Sequence, residues 1–214
     1  MHARAIMAFG ALTALLVTGC GDSTVGEPNP TDNDNPDTST TNEPDSDLPH
    51  SGAPAVKDPI TDLRAFERDP CSVHPDNELA AAGFPVDTSE EELDASAGAV
   101  CSYILEGVRA GTFTVTLAQG ERGGISHVYS VHQDDLIELF EEADDIHGHP
   151  VVIAAEHDRR DKGECGIYTG LRDDAGLDVQ VTFSNEERSE HHDAPCDAAY
   201  QLAELGIETL RGDT

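Results

Sequence analysis

Five cysteines, at positions 20, 71, 101, 165 and 196, constrain this 214-residue chain more than any other feature of its sequence. How they are read depends on the N-terminus. Residues 1–4 carry one basic side chain, Arg4, and the thirteen residues 5–17 carry no charge. At about 1.5 Å per residue a helix of that length reaches only ~20 Å, short of the ~30 Å hydrocarbon core. The segment therefore fits a secretory h-region better than a permanent membrane span. In an oxidising compartment the four cysteines beyond residue 20 are expected to form two disulfides, and four cysteines allow three pairings. None has Cys-x-x-Cys spacing, which argues against a zinc cluster or a redox motif. The expected pairing is Cys71 with Cys101 and Cys165 with Cys196, each tying the start of a helix to a strand across about 30 residues. Such a loop is worth roughly 3.5 kcal/mol on chain-entropy grounds.

The export segment closes with Val17-Thr18-Gly19-Cys20, which resembles the lipobox of bacterial lipoproteins. That resemblance implies a signal peptide over 1–19, cleavage before Cys20 and a diacylglyceryl group on its thiol. Acyl chains bury ~0.8 kcal/mol per methylene, so two of them hold a protein stably. No later stretch approaches 18 apolar residues, so Cys20 would be the sole attachment, on the extracytoplasmic face of the cell membrane. Residues 20–56 then read as a tether. From residue 21 on they contain Pro28, Pro30, Pro36, Pro44, Pro49 and Pro54, eight acidic side chains, no aromatic and no basic residue. A segment of this kind buries too little apolar surface to offset the entropy of ordering. Fully extended, it could lift a domain roughly 100 Å from the membrane.

Residues 57–214 suit one domain. A short helix is expected after Asp69-Pro-Cys71, with Gly83 and Pro85 stopping it, and a final helix from Pro195 carries Ala198, Ala199, Leu202, Leu205 and Leu210. Strands are expected at 101–105, 112–117, 151–155, 166–171 and 177–183 from their alternation or apolar runs. Residues 134–143 read as a helix, with Leu136, Ile137, Phe140 and Ala143 on one face and carboxylates opposite. The expected class is α+β: an antiparallel sheet with helices packed on one face, stapled by two disulfides. Cys101 and Cys165 each open a strand, followed ten or eleven residues later by a glycine and a second strand. Pro70-Cys71 and Pro195-Cys196 each introduce a helix, so the domain reads as two related halves or as a chance echo.

The runs Lys57-Asp-Pro-Ile60, Phe66-Glu-Arg-Asp-Pro-Cys-Ser72, Cys101-Ser-Tyr103, Gly148-His-Pro-Val-Val152, Gly163-Glu-Cys-Gly166 and Ala194-Pro-Cys-Asp-Ala-Ala199 resemble the actinobacterial lipoproteins of the domain-of-unknown-function 3558 family. The resemblance covers nearly all of 57–214 and includes all four cysteines. Tyr103 stands where that family usually has Trp. His74 stands where a Ser or Thr would cap the first helix, and should cap it less well. The resemblance implies an exported cell-envelope lipoprotein and carries over no catalytic residue.

The formal charge of −31, from 43 acidic and 12 basic side chains, argues against nucleic-acid binding, which needs a basic footprint. It argues equally against a polybasic hold on anionic lipid. His147-x-His149 and His191-His192-Asp193 offer imidazoles for Zn²⁺ or Cu²⁺. His147 and His149 would chelate together if they shared a strand face, as residues two apart do. The acidic run from Asp134 to Asp145 lacks the order of an EF-hand loop and reads as a solvated helix face. Ser126 lies in Gly-Ile-Ser-His-Val, not in a Gly-x-Ser-x-Gly elbow, and no glycine loop for a phosphate is present, so no cofactor is implied. Three functions follow in order: a non-enzymatic domain binding an envelope ligand or protein partner, a histidine-based metal binder, and an envelope hydrolase. Only two lysines occur, and the acidity fits a saline setting.

Overall fold

Seven antiparallel strands form one sheet in the order β1-β2-β3-β7-β6-β5-β4, in a computed structural model that describes residues 48–107, 111–184 and 189–213. The strands are β1 (Val86–Ala95), β2 (Gly98–Leu105), β3 (Thr112–Gln119), β4 (Leu139–Ile146), β5 (His149–Ala155), β6 (Glu164–Arg172) and β7 (Ala175–Thr182). Helices α1 (Arg64–Arg68), α2 (Asp76–Ala81), α3 (Ile125–Gln133) and α4 (Pro195–Arg211) complete the domain, with a 3-10 turn at Pro70–Val73. No helix among the described residues is long and apolar enough to cross a membrane. The signal segment, Cys20 and most of the tether lie outside the described residues. The end of the expected tether lies against the domain, where Ala53 and Val56 are buried.

Period-two alternation sorts the strand side chains onto two faces. Tyr103, Phe113, Val115, Leu117, Ile167, Leu177, Val179 and Val181 form the main core with Leu202, Ala203, Ile207 and Leu210 of α4. The register confirms a common face: Tyr103 pairs with Phe113, Val115 with Val179 and Ile167 with Val179. Helix α3 does not join this layer. Its Ile125, Val128 and Tyr129 pack with Ala118, Val152 and Tyr168, residues of the opposite parity. The antiparallel α+β sheet is as expected, but its helices occupy both faces.

Both disulfides have the expected partners, Cys71–Cys101 and Cys165–Cys196, with Cα atoms 5.0 and 5.1 Å apart. Each links the entry to a helical segment to a strand of the main-core face. The pairs β2–β3 and β7–β6 flank the central β3–β7 ladder symmetrically, which gives the sequence echo a structural counterpart. The symmetry stops at the helices, because α3 after β3 and α4 after β7 lie on opposite faces.

The helix expected over 134–143 is corrected. Helix α3 ends before that run with a Schellman closure: Leu136 N–H donates to Val131 O, Asp135 N–H donates to His132 O, and Asp135 takes φ 55°. The chain then enters β4, where Leu139 and Ile146 are buried and Glu141, Glu142, Asp144 and Asp145 face solvent. Apolar spacing of three and four residues favoured a helix. Pairing with β5, beginning at Leu139↔Ala155, outweighs it. The edge strand β1, with Glu90, Glu91, Glu92 and Asp94, also lay outside the expected elements. Both sheet edges are therefore acidic, which disfavours edge-to-edge pairing with another chain.

Candidate binding cleft

Helix α3 lies mainly over β5 and β6 on the second sheet face. The segment before residue 57 holds it from outside: His50 N–H donates to Ser126 Oγ at 2.9 Å and Gln133 Nε2 donates to Ser51 O at 2.7 Å. From the sheet side, Tyr168 O–H donates to Gly123 O and Tyr129 O–H donates to Glu142 Oε1 at 2.6 Å. Gly170 and Gly176 leave room for this arrangement. A Cβ on Gly170 would meet Val56 Cγ2 at 3.1 Å, and one on Gly176 would overlap the Tyr168 ring.

Between α3 and β5–β7 a cleft of about 200 Å³ remains. Val128, Val131, Ile137, Ala154 and Ala155 form its walls, and Tyr168, Asp178, Gln180 and His127 supply its polar atoms. Small-molecule pockets usually measure roughly 300–1,000 Å³, so this cleft suits one end of a ligand or one protruding side chain. The Asp178 carboxyl lies between Thr116 on β3 and Tyr168 on β6. Burial pushes it up to about 6, against the opposing effect of the Gln180 amide that donates to it at 2.7 Å. Partial burial also lowers the His127 imidazole, with further help from Arg122 and His50. A carboxyl held near neutrality beside apolar walls can exchange a proton or take a cationic group.

The cleft opens onto the uncovered part of the same face. Thr112, Thr114 and Thr116 pair with Thr182, Gln180 and Asp178, and Ser102 pairs with Thr114, giving a strip of hydroxyls and amide without a positive charge. A larger depression of about 310 Å³ lies at Asp58, Ile60, Asp62 and Arg211. There the Arg211–Asp58 ion pair spans 3.4 Å in the open, with no apolar wall comparable to that under α3.

The residues singled out in the sequence fall elsewhere. His147 and Gly148, at φ 50° and 86°, are the two central residues of the β4–β5 hairpin turn, and Ile146 pairs with His149. His147 and His149 therefore do not share a strand face. His149 is fully buried, with Nδ1–H donating to Gly170 O at 2.8 Å, and burial lowers its basicity. His147 instead faces α4, its Nε2 3.5 Å from Glu208 Oε1. His191 stacks on Phe84 at 4.6 Å, and His192 Nδ1 lies 3.2 Å from Asp193. Ser126 is buried and its hydroxyl is engaged by His50 N–H, the role of a structural hydroxyl.

His74 does not cap a helix. Pro75 occupies the α2 N-cap, and the His74 ring is buried, with Nε2–H donating to Leu202 O at 2.7 Å. The cleft residues Asp178 and Gln180 were missed because an alternating strand places them at its polar positions. Nothing local separates those from ordinary solvated ones.

A family model described as "Protein of unknown function (DUF3558)" matches residues 15–209. No curated protein and no solved structure matches the chain.

Proposed function

The chain belongs to the DUF3558 family, and from that premise we propose that it is an exported cell-envelope lipoprotein of actinobacterial type whose domain is a non-enzymatic binding module. The anchor is diacylglyceryl on Cys20, and the tether carries the domain away from the membrane. The observation that supports a binding role is the Asp178 carboxyl at the floor of an apolar cleft, continuous with a strip of hydroxyls. Such a site takes the end of an amphipathic envelope ligand, or a side chain of a protein partner, that brings an amine or hydroxyl to Asp178.

Native mass spectrometry of the full chain, extracted in detergent from the producing membrane, tests both parts. The expected mass corresponds to cleavage before Cys20, a lipid increment, two disulfides and an organic adduct, the last absent from Asp178→Asn. A chain without the lipid increment overturns the anchor. An adduct retained by Asp178→Asn, or no adduct on either protein, overturns the cleft as the ligand site.

A further inference from the structure

The β4–β5 turn and the outer face of α4 meet at a second group of side chains, remote from the cleft. His147 projects from the turn, while Glu204 and Glu208 stand one helical turn apart on α4. One donor atom from each lies within 4.8 Å of the other two, and the His147 Nε2 to Glu208 Oε1 distance is 3.5 Å. Donors around a tetrahedral zinc, at about 2.0–2.1 Å from the metal, sit about 3.4 Å from one another. One pair already has that separation, and rotation of an exposed Glu204 side chain closes the rest.

The charges fit as well. Two carboxylates one turn apart on a helix repel each other, and Asp144 and Asp145 add to the negative charge of this corner. A divalent cation neutralises the glutamate pair. The corner is also anchored, because Tyr200 O–H donates to Asp144 O at 3.0 Å and fixes α4 to the hairpin. Calcium and magnesium prefer all-oxygen shells with more ligands, whereas an imidazole nitrogen with two carboxylates suits zinc and its neighbours.

We propose that His147, Glu204 and Glu208 form a surface site for a divalent transition-metal ion of the zinc class, with water completing the shell. The bound ion joins α4 to the β4–β5 hairpin. This site does not depend on the ligand reading of the cleft, and its partner for His147 is the helix rather than His149.

Calorimetric titration of the untagged full chain in detergent with zinc sulfate tests the site. The expected result is one ion bound, with affinity lowered at least about tenfold by His147→Ala and by Glu204→Gln/Glu208→Gln. The double variant Glu90→Gln/Glu92→Gln removes the same charge at the opposite sheet edge and should leave affinity within about twofold of wild type. No uptake, or weak uptake of several ions that His147→Ala leaves unchanged, overturns the proposal.

Discussion

Ionisation of His74, buried under α4, and of Asp178, half-buried in the cleft, bears on stability in opposite directions. Burial lowers the His74 imidazole to about 4 while its Nε2–H holds the Leu202 carbonyl. The unfolded chain therefore binds a proton here that the folded chain refuses, so stability is full above about pH 6.5 and is lost as pH falls towards 4. Asp178 is raised to about 6, so its ionised form costs stability above that pH, and the cost disappears as pH falls towards 4. Each effect is about 3 kcal/mol, and in the wild type they largely offset each other. Asp178→Asn is expected to be the more stable protein at pH 7, and its thermal midpoint should fall more steeply between pH 7 and 4. Parallel midpoint curves would show that the Asp178 carboxyl is solvated. From sequence His74 was an imperfect cap; its position under α4 comes from contacts 128 residues away.

At the scale of elements, the seat of α4 depends on Gly206. A Cβ there would stand 2.8 Å from Leu177 Cδ2 and 3.0 Å from His74 Cε1, and both neighbours are buried. Alanine would gain about 1 kcal/mol of helix propensity. It must also displace a core leucine and the ring held on Leu202, at a cost of about 1–3 kcal/mol. Gly206→Ala is therefore expected to be neutral or destabilising, measured by urea unfolding; a gain of a full 1 kcal/mol would mean that the helix shifts freely on the sheet. Helix α4 was legible in sequence because its apolar residues keep helical spacing over four turns and Pro195 begins it. Helix α3 and strand β4 were not. Asp135 closes α3 in a conformation usually marked by glycine, and the apolar residues that follow satisfy a helical spacing they do not adopt.

Across the whole molecule, charge dominates. With a formal net charge of −31, like charges crowd both edge strands, Glu90–Glu92 at β1 and Glu141, Glu142, Asp144 and Asp145 at β4. This disfavours outward pairing of the sheet but destabilises the compact state through self-repulsion. Raising salt from about 0.05 to 1 M shortens the screening length from more than 10 Å to about 3 Å. The thermal midpoint is expected to rise across that range; an unchanged midpoint would remove salt adaptation as the reason for the acidity.

The pattern of residues along the chain pointed to the α+β class and the antiparallel strands around both disulfides, and it favoured, among three possible pairings of the four cysteines, the one the structure has. Each depends on local periodicity or on spacing between a helix start and a strand. The face on which each helix lies, the burial of His74 and His149, and the meeting of His147 with Glu204 and Glu208 depend on packing between distant segments. The cleft at Asp178 belongs with them. A strand's polar positions look alike in sequence, and only the placement of α3 over one end of the sheet makes one of them the floor of a cleft.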